Sequence, residues 1–247
     1  MIDLPISDLL QLILVATFAG LLDTIVGFGG GLLLLPVLML IFGGTDAIVL
    51  SALIPIGWNA VRMRPLREFF DVDAFRLFLF GVVPGVLLGA LILPTVDEAS
   101  LRVAVGAVLI LLGAYHVLRL YVDIPMAKVT GRILFPTTGF VGGALAAIIG
   151  AGNGPTQSWS MAAAGLTPRT IVAVNGGIGL VMSLTRLGGY GIGGLLEGVP
   201  WVVGAVGLAA AVLGGYLGVR LARRAPDSLI RLLIGLVIIV AGVRLVI

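Results

Sequence analysis

Two glycine-rich interruptions lie 123 residues apart, Gly27, Gly29, Gly30 and Gly31 in the first and Gly150, Gly152 and Gly154 in the second. Glycine frees the backbone from helical geometry and lets two chains approach closely. A short apolar stretch follows each interruption. A helix starting there would turn its unpaired first-turn N–H groups, and the positive end of its dipole, toward the break. Such an end suits an anion. The second interruption is the more polar, with Asn153, Thr156, Gln157, Ser158 and Ser160 in and just after it. Neutral donors can hold an oxyanion without the cost of burying full charges. Gly29, Gly30, Gly31, Gly152, Asn153, Gly154, Thr156 and Gln157 are therefore candidate substrate residues. The plainer alternatives are close helix packing through small residues and local capping by Asn153 or Thr156.

Two polar stripes follow. Ser51, Pro55, Asn59 and Arg62 are spaced by 4, 4 and 3, and Asn175, Gly179, Ser183 and Arg186 repeat the spacing at an offset of 124. Each set shares one helix face. A polar stripe on a membrane helix faces protein or water rather than lipid, which adds Ser51, Asn59, Asn175 and Ser183 to the substrate candidates. Pro55 is expected to kink its helix. Arg62 and Arg186 fall near the ends of their apolar segments. They are candidate anion-attracting gates on opposite faces, with snorkelling to the headgroups as the ordinary alternative. Asp23, four residues before the first break, could couple proton movement to transport or bond to unwound backbone; the second half has Ala146 at that place.

The elements that carry these residues are membrane helices. The chain of 247 residues is 60% hydrophobic and 11% charged, with a mean hydropathy of +1.21. A soluble domain carries about 25% charged residues. Asp23 and Asp46 bracket 22 uncharged residues, and Arg132 and Arg169 bracket 36. A crossing needs about 20, so the longer stretch can hold a hairpin within the membrane. The ~10-residue alternation of a membrane barrel is absent. Five segments are expected per half, at 7–27, 31–42, 46–64, 73–94 and 98–119, then 132–150, 154–166, 168–187, 199–220 and 227–246. The second segment of each half covers about half a membrane. The expected fold is thus an all-α, polytopic integral membrane protein. It has two repeats, 1–122 and 131–247, in one membrane domain, with broken or re-entrant helices at the glycines and about eight to ten helical segments.

Loop charge bears on orientation. Arg62, Arg64, Arg67 and Arg76 cluster in one loop, Arg119, Lys128 and Arg132 between the halves, and Arg220, Arg223, Arg224 and Arg231 near the end. If each half crosses an odd number of times, 12 of the 15 basic residues share a side; parallel halves would split them nine to six. The inverted arrangement is the expectation. MIDLPISDLL has no basic leader region, so the first apolar segment is expected to remain as a membrane helix.

With no cysteine and one histidine, His116, the chain has no disulfide, iron–sulfur cluster, thiolate metal site or bis-histidine haem. His116 reads as an interfacial residue beside Tyr115 and Tyr121. Trp58 and Trp201 read as interface or packing residues, and PLREFFDVDAFR as an interfacial loop. A cation or metal permease would want several buried acids, histidines or cysteines. An enzyme would need clustered catalytic groups, and none is visible. No metal, cofactor or nucleic-acid partner is expected. The expected partners are a small anionic substrate and the lipid bilayer, and a homodimer stays open. A permease for another carboxylate or oxyanion or for a cation or metal, and a non-transporting scaffold, remain as alternatives.

AGLLDTIVGFGGGLLLLPVL, followed by a polar second helix and a basic loop, resembles the TauE/SafE-type sulfite exporter family. GFVGGALAAIIGAGNG and the terminal GGYLGVRLARRAPDSLIRLLIGLVIIVAGVRLV look like that family's second repeat. The resemblance covers nearly the whole chain. It implies a secondary transporter of sulfite, thiosulfate, organosulfonates or related small anions in the bacterial inner membrane. It carries the glycine motif to Gly27, Gly29, Gly30 and Gly31 and to Gly150, Gly152 and Gly154, and the acid of the first motif to Asp23. Asn153 stands where a glycine is usual, and Thr156 to Trp159 replace an apolar run.

Overall fold

The structure, a computed structural model, describes residues 5–97, 99–101, 103–107, 110–111, 131–151 and 153–221, without the side chains of Arg132 and Asn153. The expected segment at 227–246, part of that at 98–119, His116 and Gly152 lie outside the described residues.

The helices are α1 (Ile6–Val26), α2 (Gly30–Phe42), α3 (Gly44–Leu53), α4 (Pro55–Leu66), α5 (Val72–Ile92), α6 (Gly131–Ile149), α7 (Asn153–Ala163), α8 (Pro168–Ile192) and α9 (Trp201–Leu221). No strand occurs among the described residues. Among the described residues, five stretches are long and apolar enough to cross a bilayer: α1, α3–α4 with the following turn to Phe69, α5 with its extension to Thr95, α8 and α9. The α2 and α7 helices, of 13 and 11 residues, rise only about 20 and 16 Å. The outer surface is apolar: Ile6, Leu10, Leu14 and Phe18, each one turn apart on α1, are all at least half exposed. Lipid is the solvent for such a surface. The chain is an all-α, multi-pass membrane protein.

Local chemistry sets the boundaries. Gly27 ends α1 in the left-handed region at φ 91°, and Gly150 ends α6 at φ 84°; a side chain at either place would be strained. Pro55 cannot donate to the helix ladder, so the polar stripe divides into α3 and α4 at Ile54. Asp71 caps α5 by accepting from the Ala74 amide at 2.9 Å, and Thr167 caps α8 at Thr170.

Glycines let two helix pairs approach to backbone contact. Along α5, Gly81, Gly85 and Gly89 face the Pro136, Phe140 and Ala144 carbonyls of α6, and Gly139 and Gly143 return the contact against Phe78 and Val82. Along α9, Gly214 and Gly218 face the Thr17 and Leu21 carbonyls of α1. Small residues four apart are the usual means of close helix packing in lipid, where no hydrophobic drive joins helices. The first helix of each half therefore packs on the fourth segment of the other.

These pairings also fix direction. Residue numbers rise together along α5–α6 and α1–α9, and likewise along α4–α9 (Ile54 at Gly207, Trp58 at Gly215) and α5–α8 (Phe75 at Gly177, Ala90 at Gly189). They run oppositely along α4–α8, where Arg62 meets Gly176 and Asn59 meets Gly179. So α1, α4 and α9 point one way, and α5, α6 and α8 the other.

A Cβ at Gly81 would run into the Pro136 carbonyl oxygen, a backbone atom that cannot rotate away. Gly81→Ala should therefore destabilise the protein by about 1–3 kcal/mol. Gly188→Ala, where a Cβ meets nothing within 4 Å, should be neutral or slightly favourable. Thermal unfolding of the detergent-purified variants checks this; equal unfolding temperatures would contradict the backbone contact.

Candidate functional site

The two breaks meet. A Cβ on Gly154 would stand 2.5 Å from that of Phe28, and Gly150 lies against Leu35 and Ser51. Each break is held by the polar stripe of the other half. The Asn175 amide donates to the Gly27 carbonyl at 3.3 Å and to the Ser158 hydroxyl at 2.8 Å. The Ser51 hydroxyl donates to the Ile48 carbonyl at 2.7 Å and lies 3.3 Å from the Gly150 carbonyl. Asn175 and Ser51 occupy matching places in the two stripes, as Gly27 and Gly150 do in the two breaks.

Between them lies a cavity of about 70 Å³, bordered by both breaks and both stripes. That space takes several waters or one small ion, since a single water needs roughly 10–15 Å³ on the same measure. Its polar lining is Asp23, Ser51, Asn59, Arg62, Gln157, Asn175, Ser183 and Arg186. All are buried, none more than 6% exposed.

The two arginines are held differently. Arg62 donates from Nη1 to the Asp23 carboxylate at 2.6 Å and to the Asp23 carbonyl at 3.0 Å, and from Nη2 to the Asn59 side chain. The other Asp23 oxygen accepts from the Gly30 amide at 2.9 Å. One carboxylate thus neutralises Arg62 and caps the start of α2. Arg186 instead donates to the Ser51 and Ile48 carbonyls, the Ser51 hydroxyl and the Tyr190 hydroxyl, at 2.7 to 3.2 Å. Every one of these acceptors is neutral. The Tyr190 hydroxyl in turn donates a hydrogen bond to the Ala147 carbonyl at 2.7 Å.

Donors remain at the cavity. The Gln157 amide nitrogen, on a side chain 1% exposed, has no partner among the described residues. The first bond within α2 runs from Leu33 N to Gly29 O at 3.1 Å, so the Gly31 and Leu32 amides have no acceptor in their own helix. Both residues border the cavity. Neutral N–H groups and two guanidinium groups against one carboxylate make a lining that attracts negative charge.

A family model described as Sulfite exporter TauE/SafE matches residues 12–245. The chain belongs to the TauE/SafE family. No curated protein matches it. TauE/SafE proteins are transporters, and the family match agrees with the multi-pass apolar helices.

In this TauE/SafE chain, Gly29, Gly31, Ser51, Asn59, Gly154, Gln157, Asn175 and Ser183 all border the cavity. Gly30 serves through its amide on Asp23 instead. Thr156 is not among the lining residues; it lies half-buried, one residue before Gln157 on α7. Gly152 and the Asn153 side chain lie outside the described residues. The two arginines depart from the expected placement at the membrane faces. Arg62 and Arg186 are 3% and 4% exposed and border one cavity. Neither terminates its helix, because α4 runs on to Leu66 and α8 to Ile192. Each also finds buried acceptors, so neither needs to reach water. Arg62 and Arg186 stand at opposite ends of the paired stripes, since Arg186 contacts Ser51, 11 positions before Arg62, or about 16 Å of helix. Trp58, read from sequence as interface or packing, is 2% exposed and borders the cavity. Trp201 is 41% exposed. The part of Tyr190 in holding Arg186 was missed in the sequence although it stands four residues later on α8, the spacing of helix neighbours; its own acceptor, the Ala147 carbonyl, comes from α6.

Proposed function

We propose that this protein is a secondary transporter that moves a small sulfur oxyanion such as sulfite across the bacterial inner membrane by alternating access. The observation that carries this reading is a small buried cavity where two helix breaks meet, lined by unpaired N–H donors and by two arginines against one carboxylate. Export is the direction named in the family description. The cavity size favours sulfite or thiosulfate over longer sulfonates. The two halves act as inverted repeats in this reading. Support comes from the opposed directions of α1 and α6, of α4 and α8, and of α5 and α9. The substrate rests on Gln157, Ser183 and the amides of the breaks, with Arg62 and Arg186 at the ends of the pathway; Asn175, whose two N–H groups go to Gly27 and Ser158, holds the first break instead. Asp23 links Arg62 to the α2 terminus and is the one acid in the described lining, which makes it the coupling candidate. The basic loops lie on the inner side in this reading.

Purified protein in liposomes, tested with sulfite, thiosulfate, sulfoacetate, taurine and lactate, should carry sulfite best. Gln157→Ala should raise the half-saturation concentration about tenfold or more, because a hydrogen bond to a charged ligand contributes roughly 1.5–3 kcal/mol. Asn153→Gly should change selectivity. No anion flux through folded protein would end the transport reading; unchanged kinetics in both variants would remove the second break from the site.

A further inference from the structure

The cavity has two equivalent ends with unequal charge. Arg62 and Arg186 match at an offset of 124, and Asp23 and Ala146 match at an offset of 123. At the first end, Asp23 already supplies an anion to Arg62 and to the start of α2. At the second end, Ala146 supplies none, and the four bonds of Arg186 all go to neutral oxygens. A guanidinium has five N–H donors, so one remains on Nη1. Among the described residues the Gln157 amide and the Arg62 Nε are further unpartnered buried donors on the cavity wall, so the two ends differ in charge rather than in spare N–H groups. The charged side chains bordering the cavity, among the described residues, are Asp23 from α1, Arg62 from α4 and Arg186 from α8; α2, α3, α6 and α7 contribute none. Their sum is one positive charge.

Resting on the transport reading above, we infer that the cavity is matched to a singly charged tetrahedral oxyanion balanced by Arg186, with the Asp23 carboxylate as a built-in anion that fills the equivalent end and disfavours a dianion. A buried charge without a counter-ion is costly. A monoanion brings the lining to neutrality. A dianion leaves one negative charge uncompensated in a low-dielectric site, where charge interactions far exceed those in water. Asp23 is therefore a specificity determinant acting through net charge rather than through contact with the ligand.

Methanesulfonate and sulfate test this directly. Both are tetrahedral at sulfur and have the same number of heavy atoms, but they differ by one charge. In voltage-clamped proteoliposomes releasing radiolabelled sulfite, methanesulfonate should inhibit at least about tenfold more strongly than sulfate. Asp23→Asn adds one positive charge to the lining, and should shift the ratio toward sulfate by about tenfold. Arg186→Gln should weaken inhibition by both. Sulfite flux with equal inhibition by the two anions overturns this inference and leaves the transport reading standing. A folded Asp23→Asn protein with an unchanged ratio does the same. Absence of any anion flux through folded wild-type protein overturns both. The wild-type competition needs no variant, so it decides the question even where Asp23→Asn does not fold.

Discussion

Arg62→Met should be strongly destabilising, by about 3–5 kcal/mol, because it strands a buried carboxylate. Asp23 is 6% exposed, and its only cationic partner among the described residues is Arg62. With the guanidinium gone, the Gly30 amide alone faces the carboxylate. Asp23→Ala should cost a similar amount for the reverse reason, leaving Arg62 charged among neutral groups. The double variant Asp23→Ala/Arg62→Met removes both charges and should recover a large part of the loss, since replacing a buried ion pair by apolar groups is often near neutral. The measurement is thermal unfolding of detergent-purified protein together with its amount in the membrane. Additive losses in the double variant would show that the pair is not coupled, and that Asp23 does not hold the first break through Arg62.

Arg186→Gln should instead abolish function first. The side chain makes no ion pair among the described residues, so its removal strands no carboxylate. It does leave the Ser51 carbonyl without that donor, at a cost of about 1–3 kcal/mol, while the Ile48 carbonyl keeps the Ser51 hydroxyl. Sulfite flux should fall about a hundredfold, which corresponds to roughly 2.7 kcal/mol of lost interaction with an anion. Arg186→Lys should recover only part of it: an ammonium keeps the charge but cannot span the Ser51 and Ile48 oxygens as the planar fork does. Half-saturation for sulfite in Arg186→Gln equal to wild type would show that the ligand does not depend on this charge.

The paired glycines, the matched stripes and the short second segments were legible because each is a local pattern with a period. Among the described residues most segment limits agreed with the helices to within a few residues, the segment 46–64 being divided at Ile54. At 168–187, the helix instead runs on to Ile192 through Gly188, Gly189 and Gly191; Gly189 faces Ala90 across the α5–α8 contact, where packing supports the helix. The burial of the arginines was not legible. A cation near the end of an apolar run ordinarily reaches the headgroups, and the acceptors that prevent this lie 39 residues from Arg62 and 135 to 138 from Arg186. The role of Asp23 stayed open for the same reason. Its two partners, the Gly30 amide and the Arg62 guanidinium, belong to separate helices, and both readings of the acid suited its position in the chain.

The glycine contacts also carry a schedule. A ribosome releases a chain from its N-terminus, so α1 enters the bilayer long before Gly214 and Gly218 exist to receive its Thr17 and Leu21 carbonyls. Until α9 arrives, that face of α1 can rest only on lipid or on whatever helper occupies the newborn protein. The pathway is likewise unfinished until α8 brings Asn175 to the Gly27 carbonyl. The residues of α1 are made well before those of α9, yet they settle only once α9 has arrived.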